Sequence, residues 1–253
     1  MKEYKDRTYR RRFCHDRWRS FVAQYKETDV WVGVDKNSFR PEMIEFTIQT
    51  IRSLRDELDA YLNQNQHFAL AMAPCNAHAQ APQMAQQMSK ISRQAGVGPM
   101  AAVAGAFATH IAQELKNQFK INEIMVENGG DIYADINDDI DVSIFAGESP
   151  LSEKIGLRIE AKESPIGICT SSGTVGPSLS FGKADAVMMV CKDALLADCY
   201  ATAFANRIQT AEDINPVLHM IANEKNILSA LLVKDDKMGI IGKFEMKLFG
   251  SGV

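Results

Sequence analysis

Ile121–Ile136 reads INEIMVENGGDIYADI, and the parsing of this stretch decides the fold. Ile121, Ile124 and Val126 give a mostly apolar run. Beyond Gly129 and Gly130, Ile132, Ala134 and Ile136 alternate with Asp131, Tyr133 and Asp135. That period of two is the mark of a half-buried strand. The pair of glycines between the two strands lets the backbone take φ > 0, or lets another group come close to it. A plain turn or bulge and a ligand-lined turn both fit this stretch.

The same texture continues downstream. IDVSIF (140–145), IGLRIEA (155–161) and PIGICTS (165–171) are short strands, with turns such as Asn137-Asp138 among them, and predict an antiparallel meander. A loop over 171–183, a strand DAVMMVC (185–191), helices over 193–208 and 215–224, and closing strands NILSALLV and MGIIGKFEMKLF complete the chain. Upstream, 8–35 reads as β-structure in which Val30, Val32 and Val34 alternate. In 40–65, Pro41 sits at a first helical turn and Ile44, Ile48, Ile51, Leu54, Leu58 and Leu62 recur at helical spacing. HFALAMAP (67–74) reads as a buried strand or extended segment, and helices follow over 82–94 and 99–119. Helices first and strands mainly second predict an α+β fold, antiparallel sheets packed with helices. No internal repeat or low-complexity linker interrupts 1–253, so a single domain is expected, at most two intimate lobes.

Composition narrows the function. The 253 residues are 46% apolar and 24% charged, enough for a substantial core. A net charge of −4 points to neither nucleic acid nor an anionic membrane as partner. Seven Arg or Lys between Lys5 and Arg19 are interleaved with Tyr9, Phe13 and Trp18, which suits a solvated edge strand. No apolar leader and no run of ~18 apolar residues is visible, so the expected location is cytoplasmic. The apolar strand faces leave room for a homo-oligomer. Five cysteines (Cys14, Cys75, Cys169, Cys191, Cys199) lack CxxC spacing, and the histidines lack HxxxH or HExxH spacing. Reduced thiols are expected, without a structural zinc.

Three stretches could carry chemistry. In QAGVGPMAAVAGAFATH, Gly96, Gly98 and Ala101 match G-x-G-x-x-A, but a helix precedes them where a dinucleotide fingerprint needs a strand. Gly98-Pro99 still begins a helix with free amides, a terminus suited to phosphate or carboxylate. The small face of Ala101, Ala104, Gly105 and Ala108 equally serves tight helix packing. In CTSSGTVGPSLSFGKADAV, Thr170, Ser171, Ser172, Gly173, Thr174, Gly176, Ser178 and Gly182-Lys183 can wrap an anion, although the P-loop order is absent. In LLADCYATAFANRI, Asp198 and Thr202 stand one helical turn apart and can offer two hard oxygens to Mg²⁺. An Asp in such a helix also serves as a cap or ion-pair partner. Cys169 and Cys199 are possible nucleophiles; buried free thiols are the plainer expectation.

The order ENGGDIYAD, TSSGTVG, then GKADAV and ADCYATAF resembles the ApbE family, the FAD:protein FMN transferases, and more closely a cytoplasmic branch of that superfamily. The resemblance spans about 99–208. It implies an ApbE-like, T-fold-related architecture in which Gly129, Gly130 and Asp131 line a flavin site. It further implies that Ser172 and Gly173 belong to a serine-glycine loop, and that Asp198 and Thr202 hold Mg²⁺ against the pyrophosphate of FAD. The implied activity is Mg²⁺-dependent transfer or hydrolysis at that pyrophosphate, with a flavin or nucleotide as small-molecule partner. Two departures accompany it. Alanine stands at Ala104, where the family carries a lysine before Gly-Tyr-Ala, and GPSLSFGKADAV lacks the family's histidine. These departures favour an alternative, a ligand-binding protein without catalysis. The branch also suggests a role in sulfide assimilation or homocysteine formation, which would require an exposed Cys169 or Cys199 beside the site.

Overall fold

The computed structural model describes residues 17–175 and 181–250. The start of the 8–35 segment, most of the basic cluster, Gly176 and Ser178 lie outside the described residues. The chain opens with a hairpin, β1 (Trp18–Tyr25) and β2 (Thr28–Asp35). Helices α1 (Glu42–Gln64), α2 (Gln66–Leu70), α3 (Gln83–Ala95) and α4 (Val103–Gln118) follow, the last entered through a 3-10 turn over Pro99–Ala102. Next come β3 (Ile124–Asn128), β4 (Asp131–Asp135), β5 (Ile140–Ser143), β6 (Ile155–Ile159), β7 (Ile166–Ser171) and β8 (Ala186–Cys191). Helices α5 (Ala194–Ala205) and α6 (Ile214–Ile221) then precede β9 (Ile227–Lys234), β10 (Lys237–Gly242) and β11 (Met246–Leu248).

The strands form two sheets. Eight of them are ordered β1-β2-β3-β4-β7-β8-β9-β10, and three are ordered β11-β6-β5. All neighbours are antiparallel. The expected meander is therefore split: β3, β4 and β7 stay in the large sheet, while β5 and β6 leave it. The last predicted strand also divides, β10 staying and β11 crossing over.

Period-two alternation sends the side chains of the large sheet to two cores. Val32, Val126, Tyr133, Cys169, Met189 and Leu232 face the helices. Trp31, Met125, Ile132, Ile168, Val190 and Leu231 face the small sheet, where Val142, Leu157 and Ile159 meet them. The molecule is thus a three-layer α+β stack of helices, large sheet and small sheet.

Helix α1 forms where its spacing predicts, but its buried stripe runs through Met43, Thr47, Ile51, Leu58 and Tyr61, while Ile44 faces outward. HFALAMAP is a correction. It is the short helix α2 followed by irregular chain, and Leu70 and Met72 are 70% and 55% exposed. Only Phe68 enters the core, edge-on to Tyr61 with ring centroids 5.2 Å apart. No single helix among the described residues is long and apolar enough to cross a membrane.

Candidate functional site

The opening glycines make a two-residue hairpin turn, with Asn128 paired to Asp131 across it. Gly129 has φ +70° and Gly130 φ +104°, the positive pair that such a turn needs. A Cβ at Gly130 would meet only the Thr170 carbonyl, at 3.8 Å, so conformation rather than space calls for glycine there. Glu127 holds the turn from the other face of the sheet, its carboxylate accepting the Gly130 N–H at 2.7 Å. On the helical side Asn128 Nδ2 donates to the Ala104 carbonyl at 3.3 Å.

The turn ends at Asp131, which is buried against α5. Its Oδ1 accepts the Thr170 N–H at 3.3 Å. Asp198, from the middle of α5, lies close enough to repel it. Asp198 Oδ2 in turn accepts the Gly105 N–H at 2.9 Å, and the Ala104 amide also favours its charged form. The helix expected to start at Gly98-Pro99 starts instead at Val103, after a 3-10 turn, and the chain's own carboxylate sits on the first turn of α4.

Helix α5 is set down very close to its neighbours. A Cβ at Gly105 would stand 2.5 Å from the Ala194 carbonyl oxygen, and one at Gly167 would stand 2.3 Å from Ala194 Cα. Asp193 starts the helix, its Oδ1 accepting the Leu195 and Leu196 amides at 2.8 and 3.4 Å. Because Gly167 meets the first residue of α5, and Gly173, just past β7, meets Gly182, which in turn meets the Ala205 carbonyl, β7 and α5 run side by side. Thr202, half-buried and one turn beyond Asp198, therefore lies towards the Ser171–Gly173 end of β7.

That end is an ordered rim. Ser172 Oγ accepts the Thr174 and Val175 amides at 3.1 and 2.9 Å. Thr174 Oγ1 donates to Asp185 at 3.1 Å, and the other Asp185 oxygen accepts the Asp235 N–H at 2.6 Å. Gly173 and Thr174 are exposed; Ser171 and Ser172 are half-buried.

Among the expected site residues, the structure gathers Gly105, Gly130, Asp131 and Asp198 around one point, with Gly129 on its turn. Gly98 is elsewhere, and Lys183 lies against the rim, its Cα 3.0 Å from where a Gly173 Cβ would stand. Gly98 is packed so closely on Ala71 that a Cβ would stand 1.7 Å from that carbonyl. Lys183 is exposed past the end of α5, its amide donating to the Ile208 carbonyl at 2.7 Å. Glu127, Asp185 and Asp193 are functional supports that the sequence reading passes over. Asp193 carried a legible signal, an Asp just before an apolar helical run.

The electrostatics are unusual. Burial pushes the Asp198 carboxyl up to about 7, against the two amides that oppose the shift. Burial, and then Asp198 itself, raise Asp131 well above the carboxylate range. Among the described residues no Lys or Arg forms an ion pair with either, and none is among the main groups acting on them. A divalent cation between them would remove that repulsion, so the donors fit Mg²⁺, which takes one or two carboxylates and completes its shell with water and phosphate. Asp131, Asp198 and the Thr202 hydroxyl are the groups that would hold it. Among the described residues no cluster of three or more His, Cys, Asp or Glu is arranged as a metal cage. Cys169 donates to the Ala194 carbonyl at 3.3 Å. It and Cys199 are fully buried, and burial raises both thiols, so the exposed cysteine required by the sulfur reading is missing.

Residues 11–232 match the family model described as AbpE bacteria. The chain belongs to that family. The ApbE-like chain is 36% identical to a UPF0280 protein of Methanocella arvoryzae over 87% of both chains. It is also 36% identical to one of Methanosarcina acetivorans, over 87% of this chain and 85% of the relative. Among solved structures, the apo form of Pseudomonas stutzeri flavinyl transferase ApbE gives a TM-score of 0.57 at 14% identity, covering 93% of this chain and 98% of that one. The flavin transferase ApbE of Vibrio cholerae gives 0.56 at 13% identity, covering 92% and 97%. At such identities the likeness shows the ApbE-like fold.

Proposed function

We propose that this ApbE-like protein binds a flavin or related nucleotide by its pyrophosphate at the end of β7, with Mg²⁺ on Asp198, and acts on that pyrophosphate. The supporting observation is the pair of buried carboxyls, Asp131 and Asp198, which no Lys or Arg among the described residues pairs with, beside the hydroxyl-bearing turn that follows β7. When bound, Mg²⁺ would supply neutralisation of the phosphoryl oxygens. The chain's own part is positioning. Ala104 and Gly105 fix the Asp198 carboxyl, Thr170 fixes Asp131, and the half-buried Ser171 and Ser172 hydroxyls are the rim groups that would meet phosphate oxygens. A carboxyl held near neutrality beside the phosphate also suits general acid–base work.

Ala104 favours a second reading, binding without group transfer, because no cation stands at the start of α4 where the family resemblance carries a lysine. Thermal unfolding with FAD, with and without Mg²⁺, tests both. A ligand at ~100 times its Kd adds about 2.7 kcal/mol, a rise of roughly 5–10 °C for a chain of this size. The expected result is a Mg²⁺-dependent rise that is lost in Asp198→Asn, with AMP and FMN released on incubation. A rise without release selects binding alone. No rise in any condition rejects the flavin site.

A further inference from the structure

Helix α5 has a second functional face. Tyr200, Ala203, Phe204 and Arg207 recur at helical spacing on the side turned away from Asp198 and Thr202. With the end of α3 and the chain around Met220 and Glu224, they enclose a cavity of about 250 Å³. That is below the roughly 300–1,000 Å³ of pockets for drug-sized ligands, so it suits one small metabolite.

The floor is aromatic. Tyr200 and Phe204 are buried and stacked, with ring centroids 5.9 Å apart and planes 27° apart. One wall is acidic, Glu224 accepting the Tyr200 hydroxyl at 2.9 Å. Arg207, also on the lining, is exposed, and its Nη1 lies 3.9 Å from the Met220 thioether. Among the described residues no carboxylate comes within ion-pair distance of Arg207. The cavity therefore carries one charge of each sign, not paired with each other, above stacked rings. Arg207, with Met220 beside it, and Glu224 line the same cavity.

We propose that this cavity binds a free α-amino acid with an apolar side chain. Its carboxylate would lie on Arg207, its ammonium on Glu224, and its side chain against the exposed Met220. Arginine suits the planar carboxylate through paired N–H donors. The site stands independently of the flavin reading, since it uses the other face of α5.

Calorimetric titration of the full-length protein with L-phenylalanine, L-tryptophan and L-leucine tests the assignment, with phenylacetate and phenethylamine as probes lacking one charge each. Binding of at least one amino acid is expected. Both single-charge probes should bind at least tenfold more weakly than phenylalanine, about 1.4 kcal/mol. Arg207→Gln should weaken phenylalanine by a similar factor, and Glu224→Gln should do so while leaving phenylacetate unchanged. Arg207 is exposed and Glu224 half-buried, and the far-UV circular dichroism of each variant checks that the fold is intact. Equal affinity for phenylacetate and phenylalanine overturns the Glu224 contact. Silence of all three amino acids at ~10 mM, weaker than any affinity of about 4 kcal/mol would allow, overturns the site.

Discussion

The two faces of the large sheet are closed by different means. Under the small sheet, branched and aromatic side chains interdigitate: Trp31, Ile132, Ile168, Val142, Leu157 and Ile159 fill the gap. Under the helices, closure around α5 is made by backbone against backbone, at Gly105, Gly167 and Ala194. Side-chain closure leaves an apolar layer suited to holding the fold together. Backbone closure brings peptide groups and carboxyls into one buried place, and there Asp131 and Asp198 meet. The difference separates a face that stabilises from a face that can act.

The sharpest test of that division is Leu157→Ala in the apolar layer. Deleting this fully buried side chain should cost about 2–5 kcal/mol in denaturant unfolding. The FAD and Mg²⁺ response of the surviving folded protein should be unchanged; a lost response would mean that the two faces are not separate. Gly105→Ala probes the other face. Its methyl would meet the Ala194 carbonyl, so α4 and α5 must move apart at a cost of about 1–3 kcal/mol. Here the ligand response should fall together with stability.

The charged pair predicts a pH dependence in metal-free protein. Asp131 and Asp198 keep protons in the folded state that a free carboxyl releases near pH 4, and Asp198 does so up to about pH 7. Between those limits the folded state binds more protons than the unfolded one, so stability falls as pH rises. For one proton the slope is at most about 1.4 kcal/mol per pH unit, and it levels off above about 7. Unfolding curves at intervals from pH 4.5 to 8 should show this fall, flattened in Asp198→Asn. Asp193→Ala should cost about 1 kcal/mol, because two α5 amides lose their acceptor. Smallest of all, a double-mutant cycle on the exposed Arg158–Asp141 pair of the small sheet, whose bonds are 2.7 and 2.8 Å, should return less than about 1 kcal/mol.

Much of the secondary structure was legible because local patterns carry it. The glycine pair at 129–130 announced a hairpin turn, and Pro41 announced α1. Periodicity found α1 and placed Ile51 and Leu58 inside, but at its start it took Ile44 for Met43, because the two are equally apolar and only tertiary packing chooses between them. HFALAMAP misled for a related reason: an apolar run does not say whether anything will cover it. Sheet membership was not legible at all. IDVSIF and IGLRIEA alternate as DIYADI does, yet they join a different sheet, and pairing partners are not written in a strand's own pattern. The site was half legible. Asp198, Thr202 and Asp131 stood out by type and spacing, but the bond from Gly105 to Asp198 joins residues 93 positions apart. Nothing local foretold that the amides offered at the start of α4 would be taken from within.

The contact at Ala194 bears on how this sequence can drift. Ala194 is pressed by a glycine on each side, one in a helix and one in a strand, and each contact is with its own backbone atoms. A larger residue at any of the three positions collides with main chain, which cannot turn aside as a side chain can. Single-step replacement is therefore blocked at Gly105 and Gly167 unless the backbone shifts. Only a coordinated displacement of α5 would open a route. Between those fixed points the helix is free to vary its two faces separately, one towards Asp131 and one towards Glu224.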